Sequence, residues 1–399
     1  MKRVLFATIA AGGGHVAMSR AVAQNLTERY GEQVQCDISD LMLEHGAAAL
    51  DARHKQAWKR MLVLGPWVRA GQRVMDTFPA VTQYVHRTML HDFARGLPER
   101  LDPLGYDLII TTHGWLVTAL NTALAHGLTT KVLHFAIEPF DSNALWADAR
   151  SQHVVTTSAA AKSDLVRLGV QQGHIEAIGY PVPPAVLMPR NQQAARKAFG
   201  LAHRFTVLYS LGAEGVGGPV PAVVEELAAA GVQQVVLTGR NAQLRQQITG
   251  LQLADVHAVP FTNRVLEYVA AADLVLAKAG PSSLFEALAQ HKPVVITKLA
   301  ARNEQRNMEF VVGNGFGTYA TSAPAIVAAV QRYHDEHQRT GTTRIDTERL
   351  RLAETNERFT AYLGWILGLA AERPVLTPAI GVGAHNLAAR RRYQRAARQ

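Results

Sequence analysis

The sequence predicts an α/β protein with two doubly wound, Rossmann-like domains. Three observations support this: strand and helix patterns alternate in both halves, glycine-rich turns follow several strands, and a proline-rich segment at 179–184 separates the halves. At 399 residues the chain is also too long for one ordinary hydrophobic core. We therefore predict an N-terminal domain at 1–180, a C-terminal domain at 181–370 and a basic tail at 371–399.

The individual elements follow from hydrophobic periodicity. In the first half we predict strands at 4–10, 33–38, 108–112, 131–137, 153–156 and 175–178, and helices at 17–30, 115–126 and 159–168. In the second half we predict strands at 206–211, 234–238, near Val256 and at 273–277, and helices at 220–230, 242–249, 264–271, from Ser282 onward and at about 348–371. Strands that alternate with helices in this way form parallel sheets.

The composition is that of a folded globular protein. Hydrophobic residues make up 48% of the chain and charged residues 18%, which argues against disorder. Cys36 is the only cysteine, so the chain can form no internal disulfide, and a reducing compartment suits it. No segment has the roughly 20 uninterrupted apolar residues of a membrane span, and the apolar run at 4–11 leads into a helical pattern as a first strand does. We expect a cytoplasmic protein.

The net charge of +9 is unevenly distributed. Between Arg53 and Arg100 lie nine basic and three acidic residues, with Trp58 and Trp67 among the apolar side chains between them. This mixture is typical of a helix on an anionic membrane surface, peripheral to the inner face of the cell membrane. A partly buried helical insertion with solvated charges explains it equally well. Nucleic-acid binding is a weaker hypothesis, because no nucleic-acid-binding motif accompanies the charge.

Glycine-rich turns follow three predicted strands, at the sheet edge where open α/β proteins bind ligands. Residues 12–14 are glycines and precede His15, residues 211–219 hold four glycines, and residues 278–281 read Lys-Ala-Gly-Pro. Glycine lets a backbone approach a ligand closely. The second turn lacks the Lys-Ser/Thr end of an ATPase phosphate loop and the spacing of a dinucleotide-binding fingerprint. It is therefore assigned to neither of these two motifs.

The third turn carries the strongest functional signal. A buried strand precedes it, and a helix from Ser282 carries Glu286 in its first turns. Backbone N–H groups, two hydroxyls and one carboxylate therefore lie at the carboxyl end of a strand, which suits a nucleotide diphosphate. The structural alternative is that Glu286 only caps its helix.

The chain resembles the monogalactosyldiacylglycerol synthase family over about residues 1–370. That family belongs with the processive diacylglycerol glucosyltransferases and, more distantly, with the N-acetylglucosaminyltransferase that makes lipid II. The resemblance implies a GT-B fold and a UDP-sugar donor without an essential metal or other cofactor. In the N-terminal half it depends on the glycines before His15, on Thr112-His113 and on Trp146. In the C-terminal half it depends on five ordered blocks: 212–215, 239–241, 278–281 with Glu286, 303–307 and 311–317.

The resemblance also implies donor-site roles. Glu286 would accept the ribose hydroxyls, and Phe261 and Thr262 would border the uracil. The 212–215 turn and the start of the helix at Ser282 would face the diphosphate. Residues 303–305 would hold hydroxyls of the transferred sugar. The predicted donor residues are Gly212, Ala213, Glu214, Gly215, Gly239, Arg240, Asn241, Phe261, Thr262, Lys278, Gly280, Pro281, Ser282, Ser283, Glu286, Asn303, Glu304 and Gln305.

The implied reaction is displacement at the anomeric carbon by an acceptor hydroxyl, which needs a base for the hydroxyl proton. His15 is the first candidate, followed by His113 and Glu138, because each follows an N-domain strand. The predicted acceptor contacts are Gly13, Gly14, Trp58, Trp67 and Trp146.

Three positions depart from the family pattern. Pro183 replaces an arginine near the donor phosphates, so Arg240 or Lys278 would have to supply that cation. Asn143 lies in a block where the family has a histidine, and it cannot act as a base. Asn303 replaces a glutamine that contacts the donor sugar, which leaves galactose, glucose and N-acetylglucosamine open.

The leading hypothesis is an inverting transferase that moves a hexose from a UDP-sugar to a diacylglycerol-like lipid at the cytoplasmic membrane surface. One alternative keeps the transferase and gives it a soluble apolar aglycone. Two others are a UDP-N-acetylglucosamine epimerase and an inactive protein that only binds a UDP-sugar.

Overall fold

The structure is a computed structural model. It describes residues 1–10, 13–63, 75, 77–299 and 304–376. For residues 58–63 the description covers the backbone only, and the predicted acceptor contact Trp67 and donor contact Asn303 lie outside the described residues.

The described residues form two compact units. Unit 1 contains 1–184 and 350–376, and unit 2 contains 185–299 and 304–349. The boundary after Pro184 lies close to the predicted one at 180. Residues 350–370 were expected in the C-terminal domain but belong to unit 1, because the last helix packs on the first helix of the chain.

The strands form one parallel sheet in each unit. Those of unit 1 are β1 (Lys2–Thr8), β2 (Val34–Asp40), β3 (Leu108–Thr111), β4 (Lys131–Ala136), β5 (Val154–Thr156) and β6 (Ile175–Ala177). Those of unit 2 are β7 (Thr206–Ser210), β8 (Gln233–Gly239), β9 (Val256–Pro260), β10 (Leu274–Lys278), β11 (Val294–Lys298) and β12 (Gly317–Tyr319).

The helices cover both faces of these sheets. The first eight are α1 (Gly13–Tyr30), α2 (Leu41–Glu44), α3 (Ala48–Val63), α4 (Pro79–Met89), α5 (His91–Arg95), α6 (Leu97–Leu101), α7 (Gly114–Ala125) and α8 (Ala159–Arg167). They are followed by α9 (Pro184–Leu187), α10 (Gln192–Ala198), α11 (Val220–Ala229), α12 (Ala242–Gly250), α13 (Val265–Ala271), α14 (Pro281–Ala289), α15 (Glu304–Gly313), α16 (Ala323–Thr340) and α17 (Leu352–Ile366). Short 3-10 helices lie at Gly31–Gln33, Asp102–Leu104, Gln172–His174 and Glu348–Leu350.

Strand order places a switch point in each sheet. In the described residues the order is β2-β1-β3-β4-β5-β6 in unit 1 and β12-β11-β10-β7-β8-β9 in unit 2. The direction of winding therefore reverses between β1 and β3, and between β7 and β10. Ligands of open α/β sheets bind beyond the carboxyl ends of strands at such points. The turns before α1 and after β3, and those after β7 and β10, occupy these positions.

The central strands are buried because helices cover both of their faces. All five residues of β7 are buried, and Tyr209 within it donates its hydroxyl to Gln234 of β8 at 2.5 Å. The apolar core of unit 2 forms around β7, β8, β10 and β11 and includes Val224 and Val330 from the covering helices. This core holds the carboxyl ends of β7 and β10 in fixed register.

The predicted fold class is confirmed, and several elements of the structure differ from the predicted ones. Helix α1 begins at Gly13 rather than at 17, so Gly13 and Gly14 form part of its first turn. This turn is open, because a Cβ on either glycine would meet nothing within 4 Å. The predicted helix at 348–371 is interrupted because Arg351 adopts a left-handed conformation with φ of 47°. The strands and helices between 294 and 340 have no counterpart among the predicted elements.

Candidate active site

The turns after β7 and β8 pack backbone against backbone. Gly215 and Gly239 have φ of 61° and 56°, in the left-handed region. A Cβ on Gly215 would lie 1.9 Å from the carbonyl oxygen of Thr238, and one on Gly239 would lie 2.4 Å from that of Ala213. The N–H of Arg240 closes the contact by donating to Ala213 at 2.8 Å. Only glycine fits at the two approaches, so the turns form one rigid rim.

Side chains on this rim present an aromatic surface and a guanidinium. Arg240 forms an ion pair with Glu214 at 3.1 Å, and its guanidinium carbon lies 4.6 Å from the ring centroid of Phe261. The Phe261 ring is 50% exposed, so a planar base can reach it. Asn241 caps α12 and donates to the carbonyl of Gly215 at 3.1 Å. The hydroxyl of Thr262 accepts a backbone N–H at 3.1 Å and shapes the following turn.

Helix α14 starts directly after β10, at the neighbouring position on the sheet edge. Its first intrahelical bond runs from the N–H of Leu284 to the carbonyl of Gly280 at 3.2 Å. The N–H groups of Ser282 and Ser283 precede that bond and have no acceptor within the helix. The Ser283 hydroxyl accepts a hydrogen bond from Ser210, the last residue of β7, at 3.3 Å. Donor groups and the positive end of the helix dipole therefore coincide at the switch point.

Glu286 lies farther along the same helix and is half-buried. Desolvation raises the pKa of its carboxyl to about 7. Within the described part of the chain its carboxyl forms no hydrogen bond or ion pair, so it does not cap the helix. A buried carboxyl that lacks a protein donor suits a ligand hydroxyl, which would supply the missing hydrogen bonds.

Lys278 and Glu304 form an ion pair beside these turns. Lys278 ends β10, Glu304 begins α15, and Nζ lies 3.1 Å from Oε1. Gln305 is exposed and donates to Glu309 of its own helix at 3.1 Å. Of the two cations expected to compensate for Pro183, Arg240 is thus paired with a glutamate on the rim and Lys278 with Glu304.

In unit 1, His15 lies in the first turn of α1 at the switch point. Its Nδ1 is 2.5 Å from the backbone carbonyl oxygen of Thr112, which follows β3. A carbonyl only accepts, so Nδ1 carries the proton, and Nε2 of the neutral ring keeps a free lone pair. Burial lowers the pKa of His15 more than the bond to Thr112 raises it. The ring is therefore neutral near pH 7 and able to accept a proton at Nε2.

His113 is adjacent but differently engaged. Its ring centroid lies 4.5 Å from that of His15, and its Nδ1 accepts the backbone N–H of Trp115 at 3.3 Å as the N-cap of α7. Burial, followed by the charges of His15 and His54, holds the pKa of His113 well below its usual range. Because its free lone pair already caps a helix, His113 is less suited than His15 to accept a proton.

Two further histidines join this cluster, and the sequence offers no signal for them. His54 lies 4.1 Å and His86 lies 5.4 Å from the Trp115 ring, measured between centroids. Burial lowers the pKa of both. They occur in the predicted basic segment, whose sequence pattern indicates only basic charge and interspersed tryptophans. The approach of His54 to His113, with ring centroids 5.4 Å apart, depends on the tertiary fold.

Glu138 follows β4 and is held by Trp146. Burial raises the pKa of its carboxyl to about 7, and the Trp146 side chain donates a hydrogen bond to it. The Oε2 atom is buried and has no hydrogen-bond partner among the described residues. Trp146 is only 2% exposed and its ring lies 6.4 Å from that of His15. The Trp146 ring thus has almost no exposed surface, and the acceptor contact expected of it stays a prediction.

The remaining predicted acceptor residues are described incompletely or are open to solvent. Gly13 and Gly14 are exposed at the start of α1, next to His15. Trp58 lies in α3, where only the backbone is described. Asn143 accepts the N–H of Leu145 at 3.0 Å, so its amide shapes a turn.

Residues 210–340 match the Glycosyltransferase family 28 C-terminal domain. The matched stretch runs from the end of β7 to the end of α16 and contains all the predicted donor residues. The glycine rim, the start of α14 and the pair of Lys278 with Glu304 therefore lie within the part of the chain that is similar to this domain.

The chain is also similar to plant enzymes over most of its length. It is 26% identical to the chloroplastic monogalactosyldiacylglycerol synthase of Spinacia oleracea over 358 residues, which cover 83% of this chain and 66% of that protein. The chain thus spans slightly less than two thirds of the spinach protein. The predicted resemblance to this family is confirmed.

Solved structures share the fold. A putative UDP-N-acetylglucosamine 2-epimerase from Listeria monocytogenes superposes with a TM-score of 0.57 at 13% identity, over 94% of this chain and 99% of that one. The Anabaena protein HepE, in complex with UDP and glucose, has a TM-score of 0.52 at 16% identity, over 93% of this chain and 100% of that one. The stretch that matches the family 28 domain thus belongs to a chain with the GT-B type of fold.

Proposed function

We propose that this protein is an inverting, UDP-sugar-dependent hexosyltransferase that acts on a diacylglycerol-like lipid at the cytoplasmic surface of a membrane. The observation that carries the proposal is the state of His15. Its Nδ1 proton is donated to Thr112, and burial keeps the ring neutral, so Nε2 is poised as a base. A UDP-sugar site in the other unit is supported by the match to the family 28 domain.

In the proposed reaction the acceptor hydroxyl gives its proton to Nε2 of His15. The acceptor oxygen forms a bond to the anomeric carbon of the donor sugar as the bond from that carbon to the β-phosphate oxygen breaks. UDP keeps the electron pair, and the configuration at the carbon inverts. The imidazolium then returns its proton to solvent.

Negative charge develops on the leaving diphosphate, and the rim of unit 2 offers fixed groups for it. The first N–H groups of α14 and its positive dipole end lie beside the Gly212 and Gly280 turns. Such groups stabilise the leaving charge without reorganising. No resident metal is needed for this step in the proposal.

Two considerations support a UDP-sugar as the donor and suggest which sugar to test first. Glu286 would accept the ribose hydroxyls, and Phe261 would lie against the uracil ring. The relatives in plants are named monogalactosyldiacylglycerol synthases, so galactose is the first sugar to test. Glu304, together with Asn303 and Gln305, would contact the sugar hydroxyls.

A lipid acceptor is supported by an apolar helix face in unit 1. Val81, Tyr84, Val85 and Met89 of α4 are 59%, 71%, 45% and 48% exposed. Val85 and Met89 follow Val81 at intervals of four residues and Tyr84 lies three residues after Val81, which places all four on one side of the helix. An exposed apolar face near basic residues suits a membrane interface. Among the described residues no helix is both long and apolar enough to cross a bilayer.

The test is incubation of the purified protein with labelled UDP-galactose, UDP-glucose or UDP-N-acetylglucosamine and a total lipid extract. We expect a labelled glycolipid from one donor, and none from the His15→Ala variant. A labelled product on a soluble aglycone alone would overturn the lipid assignment. Interconversion of the sugars without acceptor would identify an epimerase instead, and UDP binding without any turnover would identify a binding protein.

A further inference from the structure

Lys278 lies where the glycine turns of unit 2 meet. A Cβ on Gly212 would lie 3.8 Å from its Cε, and a Cβ on Gly280 would lie 2.8 Å from its Nζ. The ammonium group therefore occupies space that opens because Gly280 has no side chain. It lies at the same sheet edge as the first N–H groups of α14.

A local irregularity lies beside this residue. The pairing of β10 with β11 shifts register between Ala277 and Lys278, so Lys278 pairs with Lys298 rather than with Thr297. The extra residue is therefore Thr297 of β11, and β10 itself ends at Lys278 without an inserted residue. From this strand end Lys278 reaches Glu304 on α15, although 26 residues separate the two in the sequence.

The two partners differ in how firmly they are held. The Glu304 side chain is 7% exposed and lies in the first turn of α15, where the helix dipole favours a carboxylate. The Lys278 side chain is 33% exposed and ends in a flexible ammonium. Because the ion pair is partly exposed, it is weak enough to be exchanged for a stronger one. The mobile member is therefore Lys278.

We propose that Lys278 exchanges partners during donor binding. It leaves Glu304 for the diphosphate when a nucleotide enters between the Gly212 and Gly280 turns, and the Glu304 Oε1 that it contacted then accepts a hydroxyl of the transferred sugar. The inference rests on the proposed UDP-sugar site and adds a coupling within it: binding of the diphosphate strengthens sugar recognition by Glu304.

The exchange predicts opposite changes in UDP affinity when each of the two partners is substituted. Calorimetric titration measures the affinity of each variant for UDP and for the UDP-sugar that the wild type turns over. Lys278→Gln weakens UDP binding by about tenfold, because a charge-assisted hydrogen bond is lost. Glu304→Gln tightens UDP by about threefold, because Lys278 no longer has to leave a carboxylate. The same Glu304→Gln variant loses the extra affinity that the wild type has for the UDP-sugar over UDP.

Matched controls come from the same elements. Glu309→Gln removes a carboxylate from α15 that is ion-paired with Arg306, also at 3.1 Å, and should leave UDP affinity unchanged. Lys298→Gln removes an equal charge from the neighbouring strand and should weaken UDP by less than Lys278→Gln does. Circular dichroism and thermal melting verify that each variant is folded.

Three results would decide against the exchange. If Glu304→Gln weakens UDP binding, the pair is a static support for Lys278. If Lys298→Gln weakens UDP binding as much as Lys278→Gln does, the diphosphate responds only to the total positive charge at this edge of the sheet and not to Lys278 itself. If Glu304→Gln keeps the full preference for the UDP-sugar, Glu304 does not contact the sugar. A wild-type protein that binds no UDP would instead overturn the proposed function itself.

Discussion

The side-chain amide of Asn356 pairs with both backbone groups of Val182. Its Oδ1 accepts the Val182 N–H at 2.9 Å, and its Nδ2 donates to the Val182 carbonyl at 2.8 Å. Asn25 of α1 donates to the same carbonyl at 2.9 Å, and all three residues are buried. Prolines flank Val182, so its N–H is the only backbone donor from 181 to 184. The proline-rich segment is thus fixed to α1 and α17 rather than left as a free linker.

Replacing Asn356 should therefore destabilise unit 1. Asn356→Ala leaves the Val182 N–H buried without an acceptor, and we expect it to lower the free energy of unfolding by about 2 kcal/mol. Urea unfolding followed by circular dichroism measures this. Asn356→Asp keeps an acceptor for the Val182 N–H, but an oxygen replaces the Nδ2 donor beside the Val182 carbonyl, so this variant should also be less stable than the wild type. An Ala variant as stable as the wild type would show that this clamp does not contribute.

The glycine rim should reject a side chain at Gly239. Gly239→Ala brings a Cβ against the Ala213 carbonyl and adds the strain of a left-handed alanine, so the two turns must separate. We expect at least about tenfold weaker UDP binding by titration. Gly231→Ala is the matched control, because Gly231 has a φ of 73° but open space around it. It should lose about 1 kcal/mol of stability and bind UDP normally. Equal UDP affinity in both variants would contradict a rigid rim.

UDP binding should be linked to proton release by Glu286. The carboxyl has a pKa raised to about 7 by burial, and ribose hydroxyls bind best to its ionised form. Below pH 7 binding must expel the proton, so the Kd for UDP should rise by up to about tenfold per pH unit, and above pH 8 it should be constant. Titrations in buffers with different ionisation enthalpies detect the proton. Glu286→Gln should bind more weakly above pH 7 and without this pH dependence; an unchanged pH profile in that variant would remove Glu286 from the ribose site.

His15 and Glu138 can be separated as candidate bases. His15→Gln should lower kcat by about 100-fold or more and leave UDP affinity unchanged. Because burial lowers the pKa of His15 from its ordinary value of 6.5, the wild-type rate should be constant near neutral pH and fall only in more acidic solution. If Glu138 were the base, the rate would already fall as the pH drops through about 7, and Glu138→Gln would cause the larger loss. Initial rates measured from pH 5 to 9 on the wild type and both variants, at saturating donor so that protonation of Glu286 does not limit the rate, decide between them.

The exposed face of α4 should mediate membrane association. Val85→Asp places a charge in the centre of the apolar stripe, and we expect most of the protein to leave anionic vesicles in a flotation assay. UDP affinity should not change. Val166→Asp, which alters another exposed valine of unit 1 on α8, serves as the control and should float like the wild type. If Val85→Asp also floats like the wild type, α4 does not contact the membrane.

Local patterns predicted the donor half well. The strand before Lys278, the turn at Gly280 and the helix that carries Glu286 are contiguous in sequence, so periodicity and turn chemistry locate them. The same reasoning placed the start of α1 too late, because glycines that usually mark a loop begin a helix here. It also left the region from 294 to 340 without elements, where short strands and a polar helix give weak patterns.

Contacts between distant residues could not be predicted in this way. No local sequence pattern indicates that Trp146 is buried and hydrogen-bonded to Glu138. His54 reaches the side of His113 from a helix whose sequence indicates only basic charge. Neither relationship has a sequence period, because each depends on how strands and helices are arranged in space.

The sequence by itself determined the α/β class, the glycine turns, the resemblance to a glycosyltransferase family and the chemical types at the donor edge, since these depend on residue identity and local spacing. The tertiary structure decided which groups are available for chemistry. It directs the Nδ1 proton of His15 to Thr112, occupies the lone pair of His113 with a helix cap, and joins Lys278 to Glu304. Tautomer, burial and ion pairing depend on neighbours brought together only by folding.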